Sequence, residues 1–313
     1  MASCTASTVG NWQGVSMGDR YDAIIIGAGV IGAAIGLAMA RRGRRTLNID
    51  RNPAAGYGST SSSCAIIRTH YSSLQGTAMA LESVFHWKNW AAYLNAGEDT
   101  DLASFREVGV LMLDSRGGEV DVWRSHHDAL GIPYEEWDTE NLKAKMPFLS
   151  TSLYGPPKRP DDENFFRPSG GEVAGGFYVP GGGYINDPQL ATRNLQEAAE
   201  ASGGTFLFNS AVADVLEADG RCVGVLLDDG RQIRAPVIVN AAGPHSAVIN
   251  RMAGVDERMN ISTRAMRHEV HMVPAPAGIN FEAQGAVISD ADTGGYCRPE
   301  SGNCILTGSQ DPS

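Results

Sequence analysis

Gly27, Gly29 and Gly32 stand in the spacing G-x-G-x-x-G within IIIGAGVIG, and an acidic residue, Asp50, closes the later run TLNID. The chemistry of that pattern is recognition of a dinucleotide. The first glycine permits a tight turn, the second lets backbone approach a pyrophosphate, and the third lets helix and strand pack closely. A carboxylate placed about 20 residues on takes the ribose hydroxyls and disfavours a 2′-phosphate, which argues against NADP.

Those groups need a strand, a turn, a helix and a second strand to hold them. Ile24, Ile25 and Ile26 suit a buried strand of a parallel sheet. Ile31, Ala34, Ile35, Leu37 and Ala38 can pack a helix on that sheet, and Arg41-Arg42-Gly43 ends it as the helix dipole favours. Residues 23–40 carry no charge and approach the length of a bilayer span. One continuous helix would have to run through Gly27 and Gly29 at about 1 kcal/mol each, so strand, turn and helix is the better division. Arg41, Arg42, Arg44 and Arg45 read as a solvated helix end rather than a phosphate site.

At 313 residues the chain is long enough for two domains. A formal charge of -11 without a basic stripe excludes nucleic acid as a partner. The five cysteines are scattered without C-x-x-C spacing, which points to a reducing cytoplasm and to no metal site. Residues 1–16, MASCTASTVGNWQGVS, have neither a basic start nor an apolar core and are expected as a loose tail.

Farther along, GYGSTSSSCAIIRTHYS at 56–72 offers Ser59, Thr60 and Ser61 as hydroxyl donors to a phosphate, or is an ordinary surface loop. Residues 73–96 are expected to be helical, with Trp87, Trp90, Ala91 and Leu94 as a core stripe. A strand is expected near Val108–Leu113 and a helix near Val120–Leu130. The connector at 155–172, dense in proline, glycine and charge, reads as a lid or a crossing between domains. Asp187 and Pro188 open a helix, and Asp219-Gly220 and Asp229-Gly230 punctuate a β-meander. A buried strand, Val237 to Asn240, then runs into Ala241-Ala242-Gly243.

Together IIIGAGVIG, Asp50, GSTSSSCAIIR, GGGYINDPQL and VIVNAAGPHS resemble the FAD-dependent amine oxidoreductases of the D-amino-acid oxidase, glycine oxidase and sarcosine oxidase group, over about residues 20 to 313. The resemblance implies an α/β chain (α+β overall): a Rossmann-like FAD-binding domain with a β-meander, and an antiparallel-sheet substrate domain. The expected division is 17–100 with 175–255 for FAD, and 101–174 with 256–313 for substrate. By the same resemblance, non-covalent FAD would be held by Gly27, Gly29, Gly32, Asp50, Arg51, Ser59, Thr60, Ser61, Val212, Ala242 and Gly243. Cys64 lies only broadly near the place of a covalent anchor.

On the substrate side the resemblance gives Arg68 the role of clamping a carboxylate, for which a guanidinium fork is well suited. The alternative is that Arg68 pairs with a surface acid. His70 and Tyr71 are candidates to line the same pocket or are structural. Tyr296 and Arg298 alternate on a strand and would point the same way, either toward substrate or with the tyrosine packed and the arginine in solvent. His268, with Arg267, is a weaker candidate. No catalytic base is required, since the cofactor carries the chemistry.

The implied reaction is oxidation of the C–N bond of a small amino acid or N-alkyl amino acid by hydride transfer to flavin N5. The lysine of the oxygen-using relatives has its approximate counterpart at Leu306, which favours a dehydrogenase with a separate electron acceptor over an oxidase. Relatives continue with further strands, so the chain is expected to be incomplete at its C-terminus or completed by a partner subunit. The competing function is a non-catalytic FAD- or nucleotide-binding subunit of a larger oxidoreductase.

Overall fold

The computed structural model describes residues 20–115 and 119–309. The tail expected at 1–16 lies outside them. The chain divides into two compact units, 1–57 with 195–264, and 58–194 with 265–313.

The first unit is built on a four-stranded parallel sheet in the order Ile238–Asn240, Ala23–Ile26 (β1), Thr46–Ile49 (β2), Thr205–Leu207. All four residues of β1 and all four of β2 are buried, as a strand with covered faces requires. Val30–Ala40 (α1) follows β1 after a turn, so the apolar run from 23 to 40 is indeed strand, turn and helix. Among the described residues no helix is long and apolar enough to cross a membrane. The meander Val212–Ala218, Arg221–Leu227, Gln232–Arg234 is antiparallel throughout. Asp219 and Gly220 both adopt positive φ, 51° and 73°, the pair that a two-residue hairpin turn needs to match strand twist. Ile24, Leu47, Val215, Val225, Leu227 and Ile249 form a single core joining sheet and meander.

The second unit holds a seven-stranded sheet in the order Val270–Pro274, Cys304–Ser309, Gly295–Glu300, Val287–Asp290, Val110–Leu113, Gly175–Val179, Glu135–Asp138. It is antiparallel except where Val287–Asp290 runs parallel to Val110–Leu113. A smaller sheet orders Ile66–Ile67, Gly183–Ile185 and Phe105–Glu107. The helix expected near Val120–Leu130 spans Glu119–Leu130. The helical stretch at 73–96 is broken at Asn89, giving Leu74–Lys88 and Trp90–Leu94. Only Trp90 and Leu94 of its expected stripe are buried; Trp87 stacks on Trp90 at 4.4 Å and Ala91 is exposed. Asp187 caps the helix Pro188–Ala201 by accepting from the Leu190 amide at 2.8 Å.

Candidate functional site

In the first unit the turn after β1 owes its shape to missing side chains. Gly27 has φ +113°, and a Cβ there would lie 2.3 Å from the Ala241 carbonyl oxygen. A Cβ on Gly32 would lie 2.1 Å from the Gly27 oxygen, so glycine is obligatory at both. The α1 N-cap, Gly29, offers no side-chain cap, and the first turn of the helix holds no acid. Its positive end therefore suits an external anion.

Asp50 sits where β2 ends. Its Oδ2 accepts from the Ala28 amide at 2.8 Å and its Oδ1 from the Asn52 amide at 2.9 Å. A carboxylate has about four acceptor positions, so the pair of amides fixes the group and leaves capacity for two hydroxyls. A cradle that admits no Cβ, an uncapped helix terminus and an anchored carboxylate with spare lone pairs fit the ADP half of FAD.

The other residues expected at the cofactor have simple surroundings. Arg51 is exposed, its guanidinium 2.9 Å from His245 Nε2. Val212 opens the meander and packs against the core of this unit. The Ala242 amide donates to Asn240 Oδ1 at 3.2 Å, and Gly243 has φ 56°. Ser59, Thr60 and Ser61, in the second unit, lie in turns; Ser59 and Ser61 are exposed, and Ser61 Oγ donates to the Gly58 oxygen at 3.1 Å.

Asn48 was not singled out from sequence, yet it holds the turn. Only 1% exposed, it donates from Nδ2 to the Gly32 oxygen at 2.9 Å and to the Gly27 oxygen at 3.3 Å. The signal was available: a primary amide in the middle of a fully buried strand needs buried partners.

The second unit gathers the residues expected at the substrate into two places. Arg68 follows Ile66 and Ile67, which are half-buried rather than buried. Its guanidinium donates to the His70 carbonyl at 3.0 Å and stands 4.6 Å over the Tyr71 ring. Among the described residues no carboxylate pairs with it. His70 is 0% exposed, so its ring is packed in the interior, while Tyr71 is 37% exposed. Burial, then the Arg68 cation and His127, hold the His70 imidazole well below its ordinary pKa.

Arg298 lies elsewhere in this unit, on Gly295–Glu300. Tyr296 and Arg298 do point the same way, toward Cys64: the tyrosine hydroxyl hydrogen-bonds its thiol and Arg298 Nε donates to its carbonyl at 2.7 Å. The arginine does not reach solvent. Its side chain is 2% exposed, pairs with Glu300 at 2.9 Å and stacks 4.2 Å from the Tyr184 ring. Burial pushes the Tyr296 hydroxyl up to about 12, so it remains a donor at neutral pH. Burial would raise Glu300, but hydrogen bonds from Ser301 and the Arg298 cation outweigh it and keep the carboxyl below its usual range. Neither Glu300 nor Tyr184 was singled out from sequence. Only the fold brings Tyr184 to Arg298. Glu300, two residues on along the same strand, shares its face and was legible from the alternation.

His268 is exposed, with Nδ1 3.0 Å from the Ser309 oxygen. Arg267 pairs with Glu269 at 2.8 Å with its side chain 81% exposed, and the strand expected to carry both begins only at Val270.

With this geometry in hand, known proteins supply a frame. The chain is 27% identical over 300 residues to the glycine oxidase of Geobacillus kaustophilus (strain HTA426), covering 93% of this chain and 70% of that protein. It is 22% identical to a D-amino acid dehydrogenase of Methylobacterium radiotolerans, covering 74% of this chain and 63% of that protein. A crystal structure of glycine oxidase from Geobacillus kaustophilus superposes with a TM-score of 0.72 at 24% identity, over 94% of this chain and 72% of that one. Residues 22–313 match the family described as DAO, FAD dependent oxidoreductase, and the chain belongs to that family.

Proposed function

We propose that this chain oxidises the C–N bond of a small amino acid or N-alkyl amino acid, using FAD. The observation that carries the reading is Arg68. A half-buried guanidinium held by a carbonyl and an aromatic face, with no acid beside it among the described residues, is poised for an external carboxylate. Acceptance of a hydride from the substrate α-carbon is the chemistry that FAD supplies when bound.

The residues of the chain bind and orient. Gly29 and the uncapped N-terminus of α1 would take the diphosphate on backbone amides, and Asp50 would take a ribose. Gly27 and Gly32 shape the turn that brings the diphosphate there, the Gly27 amide itself donating to the Ile49 carbonyl at 2.8 Å. Arg51, Ser59, Thr60, Ser61, Val212, Ala242 and Gly243 complete the proposed cofactor set, held without a covalent bond. Arg68 fixes one end of the substrate, and proximity does most of the remaining work. Tyr296 supplies a hydroxyl donor. Arg298, already paired with Glu300, acts by fixing that strand and Tyr184 rather than by free charge. His268 stands as a weaker contact at the same strand end. Once the C–N bond is oxidised, water hydrolyses the imine to a carbonyl compound and ammonia, or an amine where the substrate nitrogen carries an alkyl group.

A dehydrogenase is favoured over an oxidase: no lysine stands within several residues of Leu306 in the sequence. Electrons would then pass to a separate acceptor or partner subunit. The free cysteines Cys64, Cys222, Cys297 and Cys304 suit the reducing cytoplasm. A second reading, a non-catalytic FAD- or nucleotide-binding subunit of a larger oxidoreductase, draws on the glycine turn and Asp50 lying together in the first unit.

The test is an absorption spectrum of the purified chain before and after anaerobic addition of an amino-acid panel. Bleaching of a flavin spectrum, lost in Arg68→Ala, supports the enzyme. A flavin spectrum that no amino acid bleaches supports the subunit.

A further inference from the structure

The position of the Arg68 guanidinium depends on three residues that belong to neither strand nor helix, Thr69, His70 and Tyr71. It takes the His70 carbonyl as acceptor and the Tyr71 ring as platform. Where those residues lie, the guanidinium follows.

Each of the three is tied to the helix Glu119–Leu130. Thr69 Oγ1 is 3.1 Å from His127 Nε2. The His70 ring lies 5.3 Å from the Trp123 ring, and the Tyr71 carbonyl 3.2 Å from His126 Nδ1. Trp123, His126 and His127 are spaced i, i+3, i+4, so one helical face supplies all three ties. The direction of the first tie follows from the tautomer. His127 Nδ1 is 2.8 Å from the Trp123 carbonyl, which can only accept, so Nδ1 carries the proton and Nε2 accepts from the Thr69 hydroxyl.

The helix face is itself anchored. Phe177, 0% exposed on the strand Gly175–Val179, packs against the rings of His127 at 5.1 Å and Trp123 at 5.9 Å. A continuous set of contacts thus runs from the core of this unit to Arg68.

We propose that the helix Glu119–Leu130 positions the carboxylate clamp: Trp123, His126 and His127 fix residues 69–71, and these set the place and orientation of the Arg68 guanidinium. The inference rests on Arg68 being the carboxylate clamp. Thr69, Trp123, His126 and His127 are positioning residues, and none is asked to touch substrate.

The test uses the full chain loaded with FAD and the simplest pair of probes, acetate and its neutral isostere acetamide, titrated by NMR on the ligand methyl line. The parent should prefer acetate. Thr69→Val, which removes the hydroxyl donor at nearly constant shape, should weaken acetate about three- to tenfold, the equivalent of one hydrogen bond, and leave acetamide unchanged. Thr69→Ser should restore the parent value. His126→Ala, at a half-exposed position, should weaken acetate in the same direction and carries the test by itself if the threonine variant does not fold.

Arg68→Ala separates the two levels. If it erases the acetate preference while Thr69→Val and His126→Ala bind acetate as the parent does, the positioning role is overturned and the clamp stands. If Arg68→Ala leaves acetate binding untouched, the clamp itself is wrong and the inference goes with it. With a turned-over amino acid, the positioning variants should raise KM more than they lower kcat.

Discussion

The glycine turn at 27–32 and the cluster around Arg298 are both polar places set among buried residues, and they are assembled by opposite means. In the turn the backbone packs on itself because no Cβ stands in the way; one on Gly27 or Gly32 would come within 2.3 or 2.1 Å of a carbonyl oxygen. Around Arg298 one long side chain gathers its partners: the Cys64 and Pro299 carbonyls accept from it, Glu300 pairs with it and the Tyr184 ring stacks on it, leaving it only 2% exposed. The turn tolerates no added atom, and the cluster tolerates no lost partner. A backbone site is therefore specified by steric rules acting over a few residues, and a side-chain site by whatever the fold brings to it.

The sharpest way to break the first half of that contrast is Gly27→Ala. It adds a carbon at φ +113° against the Ala241 carbonyl, and should cost about 3 kcal/mol or more by strain and overlap together. A chain that melts with its parent and still retains flavin on gel filtration would mean the turn relaxes freely.

For the second half, Arg298→Met should destabilise by about 2–3 kcal/mol in urea unfolding, because Glu300, itself only 20% exposed, loses its cation. Adding Glu300→Met should recover much of that loss, since no buried charge is then left unpaired. If the double variant is no better than the single, packing on Tyr184 rather than charge pairing holds the cluster.

Asp50→Asn sits between the two cases, a side chain fixed by backbone. The neutral amide can accept only one of the two bonds from Ala28 and Asn52 and turns its NH2 toward the other amide, so stability should fall by about 1 kcal/mol. Affinity for FAD, followed by flavin fluorescence, should fall about tenfold as a charge-assisted bond to ribose becomes a neutral one. Unchanged affinity would remove Asp50 from the cofactor site.

The contrast also explains what could be read from sequence. Gly27 and Gly32, the cap at Asp187 and the Asp219-Gly220 turn are local: each is decided by residues a few positions apart, so spacing alone reveals it. The family resemblance extended that reading to the whole chain. Asn48 was hidden because its partners, Gly27 and Gly32, lie 21 and 16 residues away, although its polarity inside a buried strand was a clue. Arg298 was open between substrate and solvent because Cys64, 234 residues earlier, is its partner only in the folded chain. The parallel pairing of Val287–Asp290 with Val110–Leu113, inside an otherwise antiparallel sheet, was hidden for the same reason.

His70 belongs to neither pattern, since it is a buried polar side chain without polar partners. Among the described residues neither ring nitrogen has a hydrogen-bond partner, although the residue is 0% exposed. Burial, the Arg68 cation and His127 all lower its pKa, so it is neutral in the fold. The unfolded chain takes up a proton near the ordinary value of about 6.5 and therefore binds more protons at acid pH. The stability that neutral His70 permits is complete above that value and is lost as pH falls through it toward the depressed folded pKa. His127, lowered mainly by burial, acts in the same sense. His70→Leu should then flatten the fall of the urea midpoint between about pH 7.5 and 5.5 without abolishing it, because His127 still titrates. At pH 7.5 the variant should lie within about 1 kcal/mol of the parent, since two unpaired nitrogens vanish while some packing on Trp123 is lost. An acid slope identical in parent and variant would mean that His70 finds a partner for its proton in solution, and would return it to the side of the contrast where side chains satisfy one another.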